Sequence, residues 1–337
     1  MKEKTEISEL EINLQTAPDN FLVFAQGFDT EESATQFARL IGEYIRELSC
    51  YFDLSQLDGL TVAFDYRTAL LNLDRGYESS YQLTPSDNHV VGIAMTPSVI
   101  RDGILKSHIV LNAALAIALK SPDHEHYNLA LHTLAHECAH VEIDHRFNTV
   151  FPGVLLKKVY VDAHDYCRWK IILACWGEYA ATWRSAKIGN DPTSYYEEAF
   201  VGILNQARPN ANEFIKAYRT HCDIGRVMSE VYGIYGDLMK FAAYLLGNME
   251  GQQISLDDLP ITKKELEGHW FKPYFNKLGT LCKHISIEYG QWKDISNFEA
   301  IGDLADELVT CNGVILSHLE DGRLYVDIPC SSETMPT

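Results

Sequence analysis

The chain has 337 residues, of which 46% are hydrophobic and 22% charged, a balance typical of a globular protein large enough for two subdomains. Its net charge of −19 repels phosphate backbones and disfavours direct nucleic-acid binding. There is no apolar run long enough for a transmembrane helix, and the charged residues 1–11 lack the apolar centre of a signal peptide. Eight cysteines without CxxC spacing indicate reduced thiols, so we expect a cytoplasmic protein that does not span a membrane.

The first third of the chain is predicted to combine strands with one long helix. Residues 21–28 are an apolar strand candidate, and Thr30 is placed to cap a helix that continues to about residue 48. A small, partly antiparallel sheet is expected from three further β-rich segments, at residues 59–66, 88–95 and 107–112.

The next helix, expected from about residue 124 to 147, contains an H-E-x-x-H motif at residues 136–140. Residues four apart share a helix face, so His136 and His140 can bind one tetrahedral Zn²⁺. Glu137 lies about a quarter turn away, where it can act as the general base toward an activated water. The flanking residues are nearly all apolar and predict a buried helix, in which imidazoles need a metal or a hydrogen-bond partner. The alternative is a core helix with two hydrogen-bonded histidines.

A catalytic zinc site needs a third protein ligand, and Glu178 is the favoured candidate. It is the only carboxylate in the apolar and aromatic segment 171–183, within a helix expected over residues 155–187. A carboxylate buried there must be paired or metal-bound, because a lone buried charge is costly. The alternative partner for this carboxylate is a nearby cation such as Arg184.

Other candidates for the third ligand lie near the motif or at the start of the next helix. Asp162, His164 and Asp165 follow the motif at a plausible distance, either as ligand or as the carboxylate that orients a ligand histidine. His132 lies one turn before the motif on the same stripe and is expected to line the cleft. His145 lies about half a turn round the helix and faces the wrong side.

Residues 191–337 are predicted to be mainly helical and to end in a β-hairpin. The hairpin is expected because residues 314–319 and 323–328 alternate in polarity around an Asp-Gly turn. Helices are expected near residues 194–206, 210–220, 224–247 and 262–290.

A family resemblance appears in the segment that contains the motif. An apolar strand ending at Leu111-Asn112, a gap of about twenty residues and then Thr-Leu-Ala before the motif resemble the small gluzincin metallopeptidases of the ImmA/IrrE type. In that family a later helix supplies a glutamate ligand within a pattern close to E-x-x-A-N-x-x-A. Glu178 and Ala181 match this pattern, whereas Thr182 replaces its asparagine.

The resemblance covers about residues 59–187 and implies a zincin-like α+β fold. In such a fold a small sheet packs on the H-E-x-x-H helix, and here a mostly helical C-terminal half would follow. It implies zinc held by His136, His140 and Glu178, with Glu137 as the base. We therefore divide the chain into a metallopeptidase domain, residues 1–190, and the helical region 191–337.

The function expected from the sequence is zinc-dependent hydrolysis of a peptide bond in a protein or peptide substrate. By the resemblance, the strand Ser107–Asn112 would line the cleft and offer its edge to an extended peptide. A zinc hydrolase acting on a small amide or ester, and a non-catalytic regulatory protein on the same scaffold, are the alternatives. The candidate donors to the reaction's oxyanion are Tyr166, Tyr179, Tyr232, Tyr235 and His221.

Overall fold

The structure is a computed structural model that describes residues 14–79, 82–85 and 92–335. The molecule is an α+β protein with a small mixed sheet, and 58% of its described residues are helical. Among the described residues, every helix is too short or too polar to traverse a lipid bilayer. The first part of the chain forms β1 (Leu22–Gln26), α1 (Glu31–Leu48), β2 (Leu57–Ala63), α2 (Tyr66–Leu71), β3 (Ala94–Met95), β4 (Ser98–Arg101), β5 (Ile104–Asn112) and α3 (Ala113–Ala116).

The sheet is partly antiparallel, as predicted. Strands β1, β2 and β5 run parallel, while β3 and β4 both pair antiparallel with β5. The expectation that Ser107–Asn112 offers a free edge is wrong, because β5 has β2 on one side and β3 and β4 on the other. Part of the predicted strand 88–95 lies outside the described residues, and its last two residues form the short edge strand β3.

Strand β4 is not predicted from the sequence, although its turn carries a recognisable signal. Asp102 and Gly103 both have positive φ, 52° and 79°, as a two-residue hairpin turn between β4 and β5 requires. The turn folds β4 back along the first half of β5. Strand β4 therefore covers part of the β5 edge that was expected to be free.

Two long helices follow the sheet and carry the motif residues. Helix α4 (Tyr127–Val150) packs against β5, and most of its middle residues are buried. A short helix, α5 (Val154–Lys157), precedes α6 (Ala163–Ser185), so the helix expected over 155–187 is interrupted. Asp162 causes α6 to begin where it does, because its carboxylate accepts a hydrogen bond from the backbone N–H of Asp165 at 2.9 Å.

The rest of the described chain is helical and ends in the predicted hairpin. The helix expected near 210–220 begins earlier, at Ala207, with Pro209 in its first turn, where proline is tolerated. The single helix expected over 262–290 is wrong, because the chain is divided at Gly268, which has a φ of +70°. The helix α12 was not predicted. The elements are α7 (Thr193–Leu204), α8 (Ala207–His221), α9 (Ile224–Gln252), α10 (Pro260–Leu266), α11 (Lys272–Ile287), α12 (Ser296–Cys311), β6 (Ile315–His318) and β7 (Leu324–Asp327).

Helices α6 and α9 pack against each other more extensively than any other two described elements do. At Gly247 the two helices approach so closely that a Cβ atom would lie 2.1 Å from the carbonyl oxygen of Tyr179 and 2.2 Å from Oγ1 of Thr182. The main hydrophobic core is formed by residues from both sides of residue 190. The division of the chain at that residue stays a prediction.

Candidate metal centre

Three predicted ligands converge where α4 faces the middle of α6. The Nε2 atoms of His136 and His140 lie 3.1 Å apart. Oε2 of Glu178 lies 3.3 Å from Nε2 of His136 and 3.4 Å from Nε2 of His140. The helical spacing of four residues aligns the two imidazoles, and α6 brings the carboxylate to them from the opposite side.

This arrangement fits a tetrahedral metal ion. Zinc–nitrogen and zinc–oxygen bonds of about 2.05 Å give distances of about 3.3 Å between ligand atoms at the tetrahedral angle. The three distances in the structure lie close to that value. Oε2 of Glu178 is buried and has no hydrogen-bond partner of normal geometry among the described residues. A divalent cation would satisfy this oxygen and both imidazoles together.

The electrostatics of the group favour a cation. Burial lowers the pKa of His140, but the carboxylate of Glu178 and two further acids outweigh burial and raise the pKa to about 9. Burial likewise raises the pKa of Glu178, but the two imidazoles hold it well below its usual value. The site therefore concentrates negative charge around two imidazoles, which a metal ion would neutralise.

Glu137 lies beside the three ligands and is oriented by the loop after β3. The hydroxyl of Thr96 lies 2.7 Å from Oε2 of Glu137 and 3.2 Å from the backbone carbonyl oxygen of the same residue. Glu137 is buried, yet it also lines the cavity in front of the ligands. Its carboxylate is therefore held at the edge of the site without belonging to the group of three ligand atoms.

Asp144 is a further acid on the same helix that the sequence analysis did not identify. Burial raises its pKa to about 6, while the imidazole of His140 and the hydroxyls of Ser98 and Ser107 act in the opposite direction. These serines lie on β4 and β5, so Asp144 links α4 to the sheet. Its position one turn after His140 was a usable signal, because residues four apart share a face.

The ligands form one end of a cavity of about 300 Å³. The β3 segment forms one wall, and α9 contributes Lys240, Phe241 and Tyr244 to another. The ring of Tyr244 stacks on His136 with centroids 6.0 Å apart. Burial and the carboxylate of Glu178 raise the pKa of Tyr244 well above its usual value, so the phenol remains a hydrogen-bond donor.

A second, more apolar cavity of about 430 Å³ adjoins the first and shares His136, Glu137 and Tyr244 with it. His132 lines this cavity, as expected, and does not belong to the ligand group. Its Nδ1–H donates to the carbonyl of Ile188 at 3.1 Å, and its Nε2 lies 3.3 Å from the hydroxyl of Tyr196. Burial, followed by the neighbouring His136, lowers the pKa of His132 to about 4.

The remaining sequence candidates lie elsewhere. Arg184 pairs with Glu142 at 3.4 Å, so it does not account for the burial of Glu178. His145 lies 3.7 Å from Asp53, on the other side of α4 as predicted. The alternative ligands Asp162, His164 and Asp165 cluster at the start of α6; the first two belong to a separate group of possible metal ligands, and Asp165 lies 3.6 Å from Lys158.

Tyr244, a possible hydrogen-bond donor to the reaction's oxyanion, was not predicted from the sequence. None of the five candidate oxyanion donors lines the cavity in front of His136 and His140, whereas Tyr244 does. The sequence gives Tyr244 no distinguishing mark, since it is one of 18 tyrosines. Only the packing of α9 on α6 brings it to the site.

Comparison with known proteins leaves the family undetermined. The chain matches no protein-family model, and no curated protein or solved structure gave a significant match.

Proposed function

We propose that the protein is a zinc-dependent metallopeptidase with a zincin-like fold, in which His136, His140 and Glu178 hold the metal. The observation that carries this proposal is the spacing of about 3.3 Å among three possible ligand atoms, from two imidazoles and one carboxylate, beside a second carboxylate, Glu137, that does not belong to the group. A purely structural zinc site would usually close its fourth position with another ligand. Here the described ligands face a cavity instead.

The proposed reaction has a candidate residue for each of its steps. When bound, zinc acts as a Lewis acid that polarises the scissile carbonyl and acidifies a water molecule. Glu137 takes the proton of the attacking water and delivers it to the departing amine. The phenol of Tyr244 and the ammonium of Lys240 line the same cavity, and Lys240 also pairs with Asp237 at 2.9 Å. In the proposed mechanism one of them stabilises the carbonyl oxygen as it gains negative charge.

The walls of the cavity favour an extended peptide as substrate. Strand β3 pairs with β5 on one side, and none of the described strands pairs with its other side. Four residues of this segment line the cavity: Gly92, Ala94, Met95 and Thr96. An extended peptide could therefore pair with β3 and place its carbonyl near the metal ligands.

The adjoining apolar cavity suggests which side chain is preferred. It is lined mainly by apolar and aromatic side chains and opens beside Glu137. We therefore expect cleavage next to a large apolar or aromatic residue, because such a residue would bury its surface there. The eight cysteines, all free in the described residues, support a reducing, cytoplasmic setting.

The proposal is tested by measuring zinc content and peptide hydrolysis together. The assay uses fluorescence-quenched peptides that carry Phe, Leu, Ala or Asp at one fixed position. We expect the wild type to bind zinc and to prefer Phe or Leu. Glu137→Gln should keep its zinc while kcat falls by roughly 10²- to 10⁴-fold, because only the base is lost. Glu178→Ala should lose zinc from this site and activity together.

Circular dichroism of each variant serves as the control for folding. Full activity in Glu137→Gln would contradict the proposed mechanism. A wild type that binds zinc at this site but hydrolyses none of the peptides would favour a non-catalytic role. Hydrolysis of small amides or esters alone would favour a different zinc hydrolase.

A further inference from the structure

A second group of metal-ligating side chains lies at the start of α6, away from the first site. Asp162, His164 and His318 each offer one ligand atom, and these atoms all lie within 4.8 Å of one another. His164 and Glu178 are on the same helix, and a rise of 1.5 Å per residue separates them by about 21 Å. We propose that Asp162, His164 and His318 bind a second zinc ion, which fastens the C-terminal hairpin to α6.

The two carboxylate oxygens of Asp162 have different partners. Oδ1 accepts the hydrogen bond that caps α6, from the N–H of Asp165 at 2.9 Å. Oδ2 points to the hairpin and lies 2.9 Å from Nε2 of His318. One oxygen therefore fixes the side chain to the helix, while the other is available as a metal ligand.

His164 is held in the way that metal-binding histidines commonly are. Its Nε2 donates to Oδ1 of Asp306 at 2.9 Å, which leaves Nδ1 for a metal. A carboxylate behind a ligating imidazole fixes the ring and strengthens the nitrogen that faces the metal. Asp306 is itself held by the hydroxyl of Tyr232 at 2.7 Å and by the guanidinium of Arg168.

The third side chain of this second site, His318, comes from the C-terminal hairpin. His318 ends β6, and among the described strands β6 pairs with β7 alone, in a two-stranded sheet. A two-stranded hairpin has little stability of its own, and most side chains of this one are exposed. The side chain of His318 is 49% exposed, and its Nε2 lies 2.9 Å from Oδ2 of Asp162, which brings the imidazole to the other two side chains.

The set of donors favours zinc over the hard cations. Two imidazole nitrogens and one carboxylate oxygen are typical zinc ligands, whereas calcium and magnesium prefer oxygen alone. A water molecule would complete the tetrahedron at the exposed side. Without a metal, the pairing of His318 with Asp162 is a half-exposed contact that contributes little to holding the hairpin.

Zinc content, measured by mass spectrometry of dialysed protein after zinc loading, tests the proposal. We expect two zinc ions per wild-type chain, one in His140→Ala, one in His318→Ala and none in the double variant. The matched control is His284→Ala, which removes an exposed histidine from α11 and should leave two. Because His318 is half exposed, its replacement should leave the circular dichroism spectrum unchanged.

Each site can fail independently in this experiment. One zinc in the wild type that is lost in His140→Ala and kept in His318→Ala would overturn the second site and leave the proposed function intact. One zinc that is lost only in His318→Ala would overturn the first site instead. No zinc in the wild type would overturn both.

Trypsin cleavage at Arg323, which is exposed beside the turn of the hairpin, gives an independent readout. Zinc should slow this cleavage by about tenfold in the wild type and in His284→Ala, because the fastened hairpin opens less often. His318→Ala should show no zinc effect. Equal protection by zinc in His318→Ala would overturn the proposal even if the zinc count were two.

Discussion

Glu137 and Glu178 line one cavity, but their surroundings differ. Glu178 lies between two imidazoles, and among the described residues its buried Oε2 has no hydrogen bond of normal geometry. Glu137 instead accepts a hydrogen bond from the hydroxyl of Thr96 at 2.7 Å, and it does not belong to the group of possible metal ligands. The first environment suits a metal ligand, and the second suits a base that must exchange protons.

His132 provides a prediction about pH at the scale of a single residue. Its pKa is about 4 in the folded protein, below the usual 6.5, so the unfolded chain binds a proton more readily between these values. The free energy of unfolding should therefore fall as the pH drops from 6.5 to 4. For this group alone the loss is about 2.5 kcal/mol.

The measurement is urea unfolding of metal-free protein between pH 4 and pH 7.5. His132→Asn is the control, because an amide does not titrate in this range. Its stability should decline less on acidification than that of the wild type. Parallel curves for the two proteins would show that His132 is not held neutral by burial.

The crossing of α6 and α9 gives a prediction at the scale of elements. Gly247→Ala would place a methyl group 2.1 Å from the carbonyl oxygen of Tyr179, so the two helices must move apart. We expect a loss of about 2–3 kcal/mol in the free energy of unfolding. Gly233→Ala, on the same helix but facing open space, should instead gain about 0.5–1 kcal/mol.

Chemical unfolding of the three proteins checks this prediction. The matched glycine separates the effect of crowding from the general benefit of replacing glycine in a helix. If both variants gained stability, α9 would not contact α6 as closely as the structure indicates.

The elements that could be predicted from the sequence are those with a local signal. The motif helix, the lone carboxylate Glu178 and the C-terminal hairpin each follow from spacing or polarity within a short window. Helix α12 also has such a signal, because Phe298, Ile301 and Leu308 lie on one buried face, although this helix is not among the predicted ones. Asp102-Gly103 was an equally local sign of the missed hairpin between β4 and β5.

Other parts of the site depend on contacts between distant segments and have no local signal. Thr96 reaches Glu137 across 41 residues, and Tyr244 enters the cavity only because α9 crosses α6. The predicted cleft strand was wrong for the same reason. The free edge of residues 107–112 was expected from the family resemblance alone, whereas the pairing of β3 and β4 with them is a property of the folded sheet.

The whole molecule provides a prediction about how the site is assembled. Helix α6 supplies Glu178, and its buried residues, among them Ile172 and Tyr179, pack in a core that includes α9. A chain ending at residue 190 would expose this surface. We expect that fragment to retain no zinc after dialysis and to show reduced helical circular dichroism.

Mixing this fragment with separately produced residues 191–335 should restore zinc binding if the two pieces associate. A well-folded, zinc-binding fragment 1–190 would contradict the expectation and would favour the independent domain suggested by the sequence. The full-length protein, loaded and dialysed in parallel, is the reference.

The position of α9 also has a consequence for synthesis of the protein. A ribosome completes His136 and His140 more than eighty residues before it begins α9 at Ile224. During that interval the growing chain contains the motif, but the helix that seats Glu178 and supplies Tyr244 does not yet exist. On the proposed function, the nascent polypeptide would be inactive until most of it has left the ribosome, which would protect neighbouring nascent chains from premature cleavage.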